Sequence, residues 1–463
     1  MVKDDKDAYI KQLEEKIAKL ETYIQELERR LGMNSQNSSK PPSTDGPNKK
    51  PKRGNGKKRR RKKGAQKGHK PHLRELVPKE QVKKFVNLIP KQCTCGCSEL
   101  KTCDEPAIRF QTFDLPPIKP EVTEYVQHML ECKKCGNIVY KPLPDDIKRN
   151  PFGPGILSVV SILTGMLNTS KRKAQEVMNE VFGIPISLGG LSNCEARVAA
   201  ALETPYEEIT DYVQQQARAH ADETSWRRGN RIKGWMWTLC CTTAAVFMIH
   251  ASRSQRAARK LLGCFSGILN TDRWTSYRFY KRARQVCWAH LKRDFKAISE
   301  SKGGLGKIGK DLYRLSKKIL ALRRRVRDGT LQWKSFQRRM IPLKKEVERL
   351  LEKGSTYRGS LGGKCRDILE HRAYLWTFVL DPNVEPTNNL AEQIIRQAVL
   401  WRKTSFGTQS KRGAQYVERM LTVCATCRLQ GRSIIEFMRK VCLCHLDDVP
   451  MPSLVPNKSA QVA

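Results

Sequence analysis

The sequence predicts a multidomain α/β protein with a mixed sheet, and two observations lead to this fold class. Short apolar runs rich in β-branched and aromatic residues follow one another between residues 218 and 290, bounded by Gly, Thr and Ser, as strands are. A helical pattern over 254–265 separates three early runs from a later run that ends at Asp272. A carboxylate at a strand end projects into the crevice in which such sheets bind their substrates.

Composition indicates the kind of partner. The chain has 463 residues, enough for several domains, with 87 Lys and Arg against 46 Asp and Glu and a net charge of +41. Such an excess favours a polyanionic partner, and nucleic acid in particular. An acidic membrane surface is the alternative, but the longest apolar stretch, 235–250, is too short to span a bilayer and contains threonines.

The cysteines and the N-terminus indicate the compartment. The chain opens with charged, helical sequence rather than a signal peptide. We therefore expect the sixteen cysteines to be reduced thiols in a cytoplasm, some of them binding metal. With DNA as the expected partner, the protein would be associated with the nucleoid.

The first segment, residues 1–32, is predicted to be a coiled-coil dimerisation helix. Apolar residues alternate in steps of three and four, with Ile at most a positions and Leu at d positions, namely Ile10, Leu13, Ile17, Leu20, Ile24, Leu27 and Leu31. That combination favours parallel dimers, so we expect a homodimer or a higher assembly. The alternative is an amphipathic helix that packs on the body of the protein.

Residues 33–75 are predicted to be a disordered, basic arm. The stretch 34–48 is rich in Asn, Ser and Pro, and cannot form a core. It is followed by an uninterrupted run of positive charge, Lys58, Arg59, Arg60, Arg61, Lys62 and Lys63. Such a run binds phosphates by releasing counterions, which favours DNA contact. A localisation tag or a solubilising linker is the alternative.

Residues 76–148 are predicted to form a zinc ribbon. Cys132 and Cys135 have C-x-x-C spacing, and the first group, Cys93, Cys95 and Cys97, is more closely spaced. Two cysteine groups, each containing or followed by Gly and separated by a strand-like insert, are typical of a structural Zn²⁺ site. Two of the first three cysteines are expected to bind the ion. Free buried thiols are the alternative.

Two helical regions flank the predicted strands. Residues 149–216 are either a helix-turn-helix presenting Lys171, Arg172 and Lys173 to DNA or a brace packed against the sheet. Residues from about 291 to 380 form a helical insertion with two apolar stripes separated by Gly329. We expect its outer face to contact DNA through a set of basic residues, Arg323, Arg324, Arg325, Arg338, Arg339, Lys344 and Lys345.

A third acid lies far downstream of the two aspartates. Residues 386–399 resemble a helix whose N-cap is Asn388 or Asn389, with Glu392 in its first turn near the positive end of the helix dipole. If this helix packs on the sheet, Asp222, Asp272 and Glu392 converge as oxygen ligands of the kind that Mg²⁺ prefers. Two such ions activate an attacking oxygen and stabilise a leaving one in phosphodiester chemistry.

Four motifs together carry a family resemblance: Ala-Asp222-Glu-Thr-Ser-Trp, Thr-Asp272-Arg-Trp-Thr-Ser-Tyr, Cys-Trp-Ala-His290-Leu-Lys-Arg-Asp-Phe and Pro-Thr-Asn-Asn-Leu-Ala-Glu392-Gln-Ile-Ile-Arg. Their order and spacing resemble the transposases of the insertion sequence sixty-six family, over nearly the whole chain. The resemblance implies an RNase H-like catalytic domain over 217–408, with Asp222, Asp272 and Glu392 as a DDE triad that holds two Mg²⁺ ions. His290 is implied to be an active-site neighbour, with a structural histidine as the alternative.

The resemblance also implies the reaction and its partners. The expected activity is Mg-dependent cleavage of DNA at the ends of a bacterial insertion sequence, followed by strand transfer into target DNA. Accessory proteins from the same element are possible partners. A nuclease or resolving enzyme with the same triad is one alternative, and a DNA-binding regulator with a vestigial core is another.

Further DNA contacts are expected behind Glu392 and at aromatic residues. A Gly-rich basic stretch leads from the catalytic domain into a C-terminal helical segment, 409–463, and offers Arg396, Arg402, Lys403, Lys411 and Arg412 to the phosphate backbone. Trp226, Trp274 and Trp288 are candidates for stacking on unpaired bases, with core packing as the alternative.

Overall fold

The computed structural model describes residues 2–38, 74–101, 108–143, 151–229, 232–447 and 449–456. The basic run 58–63 therefore lies outside the described residues. The chain divides into two units, one formed by residues 1–48 and 121–463 and the other by residues 49–120. Among the described helices, none has the length and apolar character needed to cross a membrane.

The smaller unit contains a closely spaced cysteine turn. The amide of Cys93 donates to the carbonyl oxygen of Cys97 at 2.8 Å, and the amide of Gly96 donates to that of Cys93 at 2.9 Å. Gly96 has φ +90°, a conformation that glycine adopts readily. Elsewhere in this unit, the side chain of Gln111 pairs with both backbone groups of Val77, at 2.8 and 2.9 Å.

The larger unit begins with the long helix α1 (Val2–Leu31). Its apolar seam is exposed, from 38% at Leu27 to 82% at Leu31. A short antiparallel hairpin follows later in the chain, formed by β1 (Met129–Glu131) and β2 (Ile138–Tyr140). Cys132 and Cys135 lie in the turn that joins these two strands.

Four helices lie between residues 154 and 214, directly before the main sheet: α2 (Pro154–Ser161), which continues as a π-helical turn, α3 (Lys171–Phe182), α4 (Leu188–Ala201) and α5 (Glu203–Gln214). Ser170 and Ser187 cap α3 and α4 by accepting from backbone amides. These helices share one apolar core with the main sheet, and the Thr164 hydroxyl is 2.8 Å from that of Tyr416. The four helices therefore pack against the main sheet, and Lys171 pairs with Glu195 at 2.9 Å.

The main sheet has five strands in the order β5-β4-β3-β6-β7. Its strands are β3 (Arg218–Arg228), β4 (Ile232–Cys240), β5 (Ala245–His250), β6 (Ile268–Thr271) and β7 (Arg284–Val286). The first three form an antiparallel meander, and β6 and β7 run parallel to β3. Helix α6 (Gln255–Leu262) provides the crossover into β6. The mixed α/β arrangement predicted from the sequence is confirmed.

The insertion between β7 and the last part of the chain is helical and has its own apolar core. It contains α7 (Trp288–Ser299), α8 (Gly303–Arg327), α9 (Trp333–Ser355), α10 (Gly359–Glu370) and α11 (Thr377–Leu380). Basic residues such as Arg338 and Lys344 are exposed, as expected. The placement of Arg323 on the outer face was wrong: this residue is only 7% exposed. Its guanidinium donates to the carbonyl oxygen of Pro382 at 2.6 Å and pairs with Glu385 at 3.2 Å.

Three helices follow the insertion in the described part of the chain: α12 (Asn389–Ser405), α13 (Lys411–Leu429) and α14 (Ile434–Leu446), the last of which packs on α2. Helix α12 packs against β3 and β4, and α13 packs against β5. The loop between them crosses β3 closely at Gly407, where φ is +111° and a Cβ atom would clash with the Arg227 carbonyl oxygen. Only glycine fits this position, because both the backbone conformation and the available space exclude a side chain.

Candidate active site

The strand register brings Asp222 and Asp272 to the same edge of the sheet. His220 on β3 pairs with Asn270 on the parallel neighbour β6, and each aspartate follows two residues later along its strand direction. Burial raises the pKa of Asp222 well above its ordinary value, and the negative charges of Glu223 and Asp272 raise it further. Two carboxylates side by side in this way favour a bound cation.

Two helices begin beside one another at this edge. Helix α7 starts after Cys287 and α12 starts after Asn388, and the Asn388 amide donates to the Cys287 sulfur at 3.2 Å. The Trp288 amide donates to the Pro386 carbonyl oxygen at 2.8 Å, which joins the two helix starts a second time. Because helix N-termini carry partial positive charge, this edge favours anions such as phosphate.

Asn388 connects the start of α12 to strand β3. Its side-chain amide donates to the Ala221 carbonyl oxygen at 2.8 Å, and its side-chain oxygen is 3.0 Å from His220 Nδ1. The backbone confirms Asn388 as the N-cap residue, but its side chain does not cap the helix. Glu392 follows one turn later, its amide bonded to the Asn388 carbonyl at 3.1 Å. The third acid is therefore attached to the strand that carries Asp222.

Glu392 faces His290 across the two helix starts. His290 Nδ1 and Glu392 Oε1 are 3.5 Å apart, and Arg293 lies 3.9 Å from the same carboxylate oxygen. His290 Nδ1 and Glu392 Oε1 are both buried and have no hydrogen-bond partner among the described residues. A buried polar atom without a partner costs free energy, and a bound ion or ligand would supply the missing partner for each of these two atoms.

The possible metal ligands fall into two groups at this edge. The ligand atoms of Cys287, His290 and Glu392 all lie within 4.8 Å of one another, whereas no such cluster in the described part of the chain includes Asp222 or Asp272. The two aspartates thus form one pair and Glu392 belongs to a second group. The carboxylate oxygens fit Mg²⁺, whereas the Cys287 thiol and the His290 imidazole beside Glu392 are softer donors.

A second cluster of possible metal ligands is already ion-paired with arginines. Asp367, Glu370 and His371 approach one another in the insertion, but Asp367 is ion-paired with both Arg273 and Arg278. Arg273 directly follows Asp272, so these ion pairs join the insertion to the strand end that carries the aspartate. We interpret this cluster as structural.

A buried hydrogen-bond network around Glu223, next to Asp222, was not predicted from the sequence. The Glu223 side chain is 1% exposed and accepts from Arg253 Nε at 2.8 Å and from the Tyr277 hydroxyl at 2.6 Å. Burial is the main cause that raises the pKa of Glu223 to about 7. The only sequence signal was the position of Glu223 directly after Asp222, because its partners are distant along the chain.

Among the basic residues that follow Glu392 in the chain, Arg402 is half-buried and the others are exposed. Arg402 donates to the Thr224 hydroxyl at 3.1 Å and also contacts Ser225, and it lines a cavity of about 670 Å³ with Lys233 and Phe406. The other members of this set are exposed on α12 and α13, namely Arg396, Lys403, Lys411 and Arg412. Their charges are available to a phosphate backbone.

Each cysteine turn stabilises a thiolate. Backbone amides of Lys134 and Cys135 lower the pKa of Cys132, and the backbone and side chain of Cys95 lower the pKa of Cys93. Zinc binds cysteine as thiolate, and such N–H···S contacts are typical of its ligand turns. The residues of each turn, including Cys97 and Cys135, therefore fit structural Zn²⁺.

A strongly basic chain that brings acids, a histidine and two helix N-termini together at one end of a sheet has the features of a DNA-processing enzyme. The particular family follows from comparison with known proteins. The model of the family "Transposase IS66 family" matches residues 150–416, and that of the zinc-finger binding domain of transposase IS66 matches residues 90–136. This chain belongs to the IS66 family of transposases. A family of unknown function also matches residues 2–75.

Two relatives come from Sinorhizobium fredii. The chain is 25% identical to the uncharacterized protein y4hP over 382 residues, which cover 73% of this chain and 68% of that protein. It is 20% identical to the uncharacterized protein y4jD over 392 residues, which cover 77% of this chain and 75% of that protein. The family membership supports DNA as a partner and structural zinc as a component.

Proposed function

We propose that this transposase cleaves DNA at the ends of an insertion sequence and transfers the freed strand into target DNA, using an RNase H-like domain over residues 217–408. Asp222, Asp272 and Glu392 are its catalytic carboxylates, and His290 is their neighbour. The observation that supports the proposal is the hydrogen bond from Asn388 to β3, because it holds the start of the helix that carries Glu392 against the strand that carries Asp222.

The three carboxylates would hold two Mg²⁺ ions. Bound there, the ions supply Lewis acidity for the attacking and leaving oxygens of an in-line displacement. The chain's own groups bind and orient the scissile phosphate: the N-termini of α7 and α12 offer partial positive charge, and Arg293 adds a full charge beside Glu392. His290, whose Nδ1 atom is unsatisfied, offers a hydrogen bond at the same place.

The remaining parts of the chain would assemble and hold the DNA. The α1 seam dimerises, the basic arm 58–63 and the exposed set Arg396, Lys403, Lys411 and Arg412 bind the phosphate backbone, and a zinc ribbon over 76–148 supports the N-terminal part. Helices α2 to α5 brace the catalytic domain, which is followed by the C-terminal helical segment. Any accessory proteins would act on this assembly.

Substitution of single acids tests the triad. The variants Asp222→Asn, Asp272→Asn and Glu392→Gln are each expected to abolish cleavage of an element-end duplex in Mg²⁺ while DNA binding persists. The matched control is Asp381→Asn, which removes an acid that pairs with Arg218 at 3.0 Å outside the site and should leave cleavage intact. Normal cleavage by Asp272→Asn would refute the catalytic assignment, whereas DNA binding without any cleavage by the unaltered protein would favour a DNA-binding regulator.

A joining assay separates a transposase from a nuclease with the same triad. Pre-cleaved element ends bearing a 3′-OH are incubated with a supercoiled target plasmid and Mg²⁺. Covalently joined products are expected, and they should disappear with Asp272→Asn. Cleaved ends that never become joined under conditions where cleavage is complete would establish the nuclease instead.

A further inference from the structure

We propose that Trp274 is a base-stacking residue that holds an unpaired nucleobase next to the scissile phosphate, an inference that rests on the proposed function. Of the three tryptophans considered for this role, Trp226 and Trp288 are fully buried in the apolar cores. Trp274 is 37% exposed and follows Asp272 by two residues. It is therefore the one whose ring a base can reach.

The backbone of Trp274 is fixed to the catalytic edge. Its amide donates to the Asp272 carboxylate at 2.8 Å, so the start of this residue is positioned by the acid itself. On the proposed function, a base stacked on the ring therefore lies close to the scissile phosphate, which is bound beside Asp272.

The ring of Trp274 is fixed as well. The Arg253 guanidinium lies 3.7 Å from the ring centroid of Trp274 and 4.8 Å from that of Trp235, so two indoles and one guanidinium form a stack. Trp274 Nε1 also donates to the Arg253 carbonyl oxygen at 3.4 Å, and the Ser276 hydroxyl donates to the same oxygen at 2.6 Å. An exposed aromatic ring held at this many points is preorganised, which reduces the entropy lost on binding.

Arg253, the middle member of the stack, is held by the buried hydrogen-bond network around Glu223. Arg253 donates to Glu223 at 2.6 and 2.8 Å, and the opposite oxygen of that carboxylate accepts from Tyr277. Glu223 acts here as a positioning residue, because it orients Arg253 and is itself buried. The arrangement explains why a buried acid occurs directly after Asp222.

The chemistry of the stack selects a nucleobase. An indole backed by a guanidinium presents a flat, electron-rich surface to every base, and such stacking does not depend on sequence. A base reaches this surface only when it leaves the duplex, so the inference includes local unpairing at the cleaved end. Holding the base there fixes the position of its phosphate against the carboxylates.

Photocrosslinking tests the contact in the unaltered protein. Element-end duplexes carry 5-iodouracil at one position at a time on either side of the cleaved phosphate, with Ca²⁺ replacing Mg²⁺ to slow cleavage. Irradiation and peptide mapping are expected to give a crosslink to Trp274 from a position adjacent to that phosphate. Crosslinks that map only to other residues would overturn the inference.

Kinetics of two variants provide the second arm. We expect Trp274→Ala to raise the KM for an element-end duplex by about tenfold or more, and Trp274→Phe to stay within about threefold of wild type, since phenylalanine retains a stacking surface. The matched control is Phe279→Ala, which removes a ring that lies 4.0 Å from Arg259. It should leave KM unchanged, as judged on protein with a normal melting transition.

The outcomes distinguish this inference from the proposed function. Unchanged KM for Trp274→Ala, together with loss of cleavage in Asp272→Asn, would reject the stacking role and leave the triad intact. A change of oligomeric mass in Trp274→Ala, with no crosslink in wild type, would assign the ring to a contact between copies of the chain and also reject the stacking role.

Discussion

Asn388 donates its side-chain amide to the carbonyl oxygen of Ala221 at 2.8 Å, although the two residues are 167 positions apart in the chain. Ala221 directly precedes Asp222, and Asn388 begins the helix that carries Glu392. One hydrogen bond therefore joins the residue before the first proposed catalytic acid to the start of the helix that carries the third. The position of Glu392 depends on this link as well as on the apolar packing of α12.

Removal of this link should impair both stability and cleavage. Asn388 is 1% exposed, so Asn388→Ala leaves the Ala221 carbonyl buried without a donor, which costs about 1–3 kcal/mol. We expect the cleavage rate to fall by about 10- to 100-fold, because small displacements of catalytic groups have effects of that size. Denaturant unfolding and a cleavage assay measure the two effects. The control is Asn383→Ala at an exposed position, and equal behaviour of the two variants would contradict the role of Asn388.

Glu418 on α13 should make stability depend on pH. Its carboxylate accepts from the Ile249 amide of β5 at 2.5 Å, and burial raises its pKa from 4.5 to about 7. Because the pKa is higher in the folded state, the associated stability is present below pH 4.5 and is lost as the pH rises to about 7.

A neutral substitute should remove this dependence. Between pH 4.5 and 7, the unfolding free energy of Glu418→Gln should gain on that of wild type by about 3 kcal/mol, since glutamine still accepts from Ile249 and does not ionise. Denaturant unfolding at several pH values measures the difference. Glu436→Gln, at an exposed position, should show no such gain. A constant difference across this range would show that Glu418 does not titrate as described.

The amount of zinc bound to the protein should depend on the cysteines of the two turns. Purified protein is expected to contain zinc, and Cys132→Ser or Cys135→Ser should lose it together with the structure of residues 80–145, because structural zinc contributes directly to folding. Atomic absorption and limited proteolysis after chelation provide the measurements. Cys264→Ser is the control, since Cys264 is an exposed thiol outside both turns. Zinc-free protein that is unaffected by EDTA would exclude the site.

The exposed seam of α1 should support a dimer. Ile17 is 55% exposed in the single chain, and a charge at this a position would be buried in a coiled coil. Ile17→Asp should therefore halve the mass measured by size-exclusion chromatography with light scattering. Lys19→Asp, which is exposed outside the seam, should keep the mass of wild type. If Ile17→Asp also keeps that mass, dimerisation occurs elsewhere or not at all.

Local patterns were enough to predict the mixed sheet, the α12 helix and the helical insertion. Residues such as Ile394 and Ala398 reveal one helix face by their spacing, and the run before Asp272 reveals a strand by its composition. These patterns depend on residues that are close in the sequence, so they can be recognised without knowledge of tertiary contacts.

Contacts between distant residues were not predictable in this way. Asn388 has the residue type and position of a helix cap, yet its side chain bonds to β3. Arg323 lies among other arginines in the sequence, yet it is buried against residues near 382–385. The partners of Glu223 are similarly remote, and no spacing rule connects a glutamate on one strand with Arg253 and Tyr277.

The helical insertion has a consequence for synthesis of the protein. A ribosome produces Asp222 and Asp272 early, and then must complete α7 to α11 before it reaches Glu392. A nascent or prematurely terminated chain that stops within the insertion therefore has two of the three acids and none of α12. On the proposed mechanism such fragments lack the third carboxylate and therefore do not cut DNA.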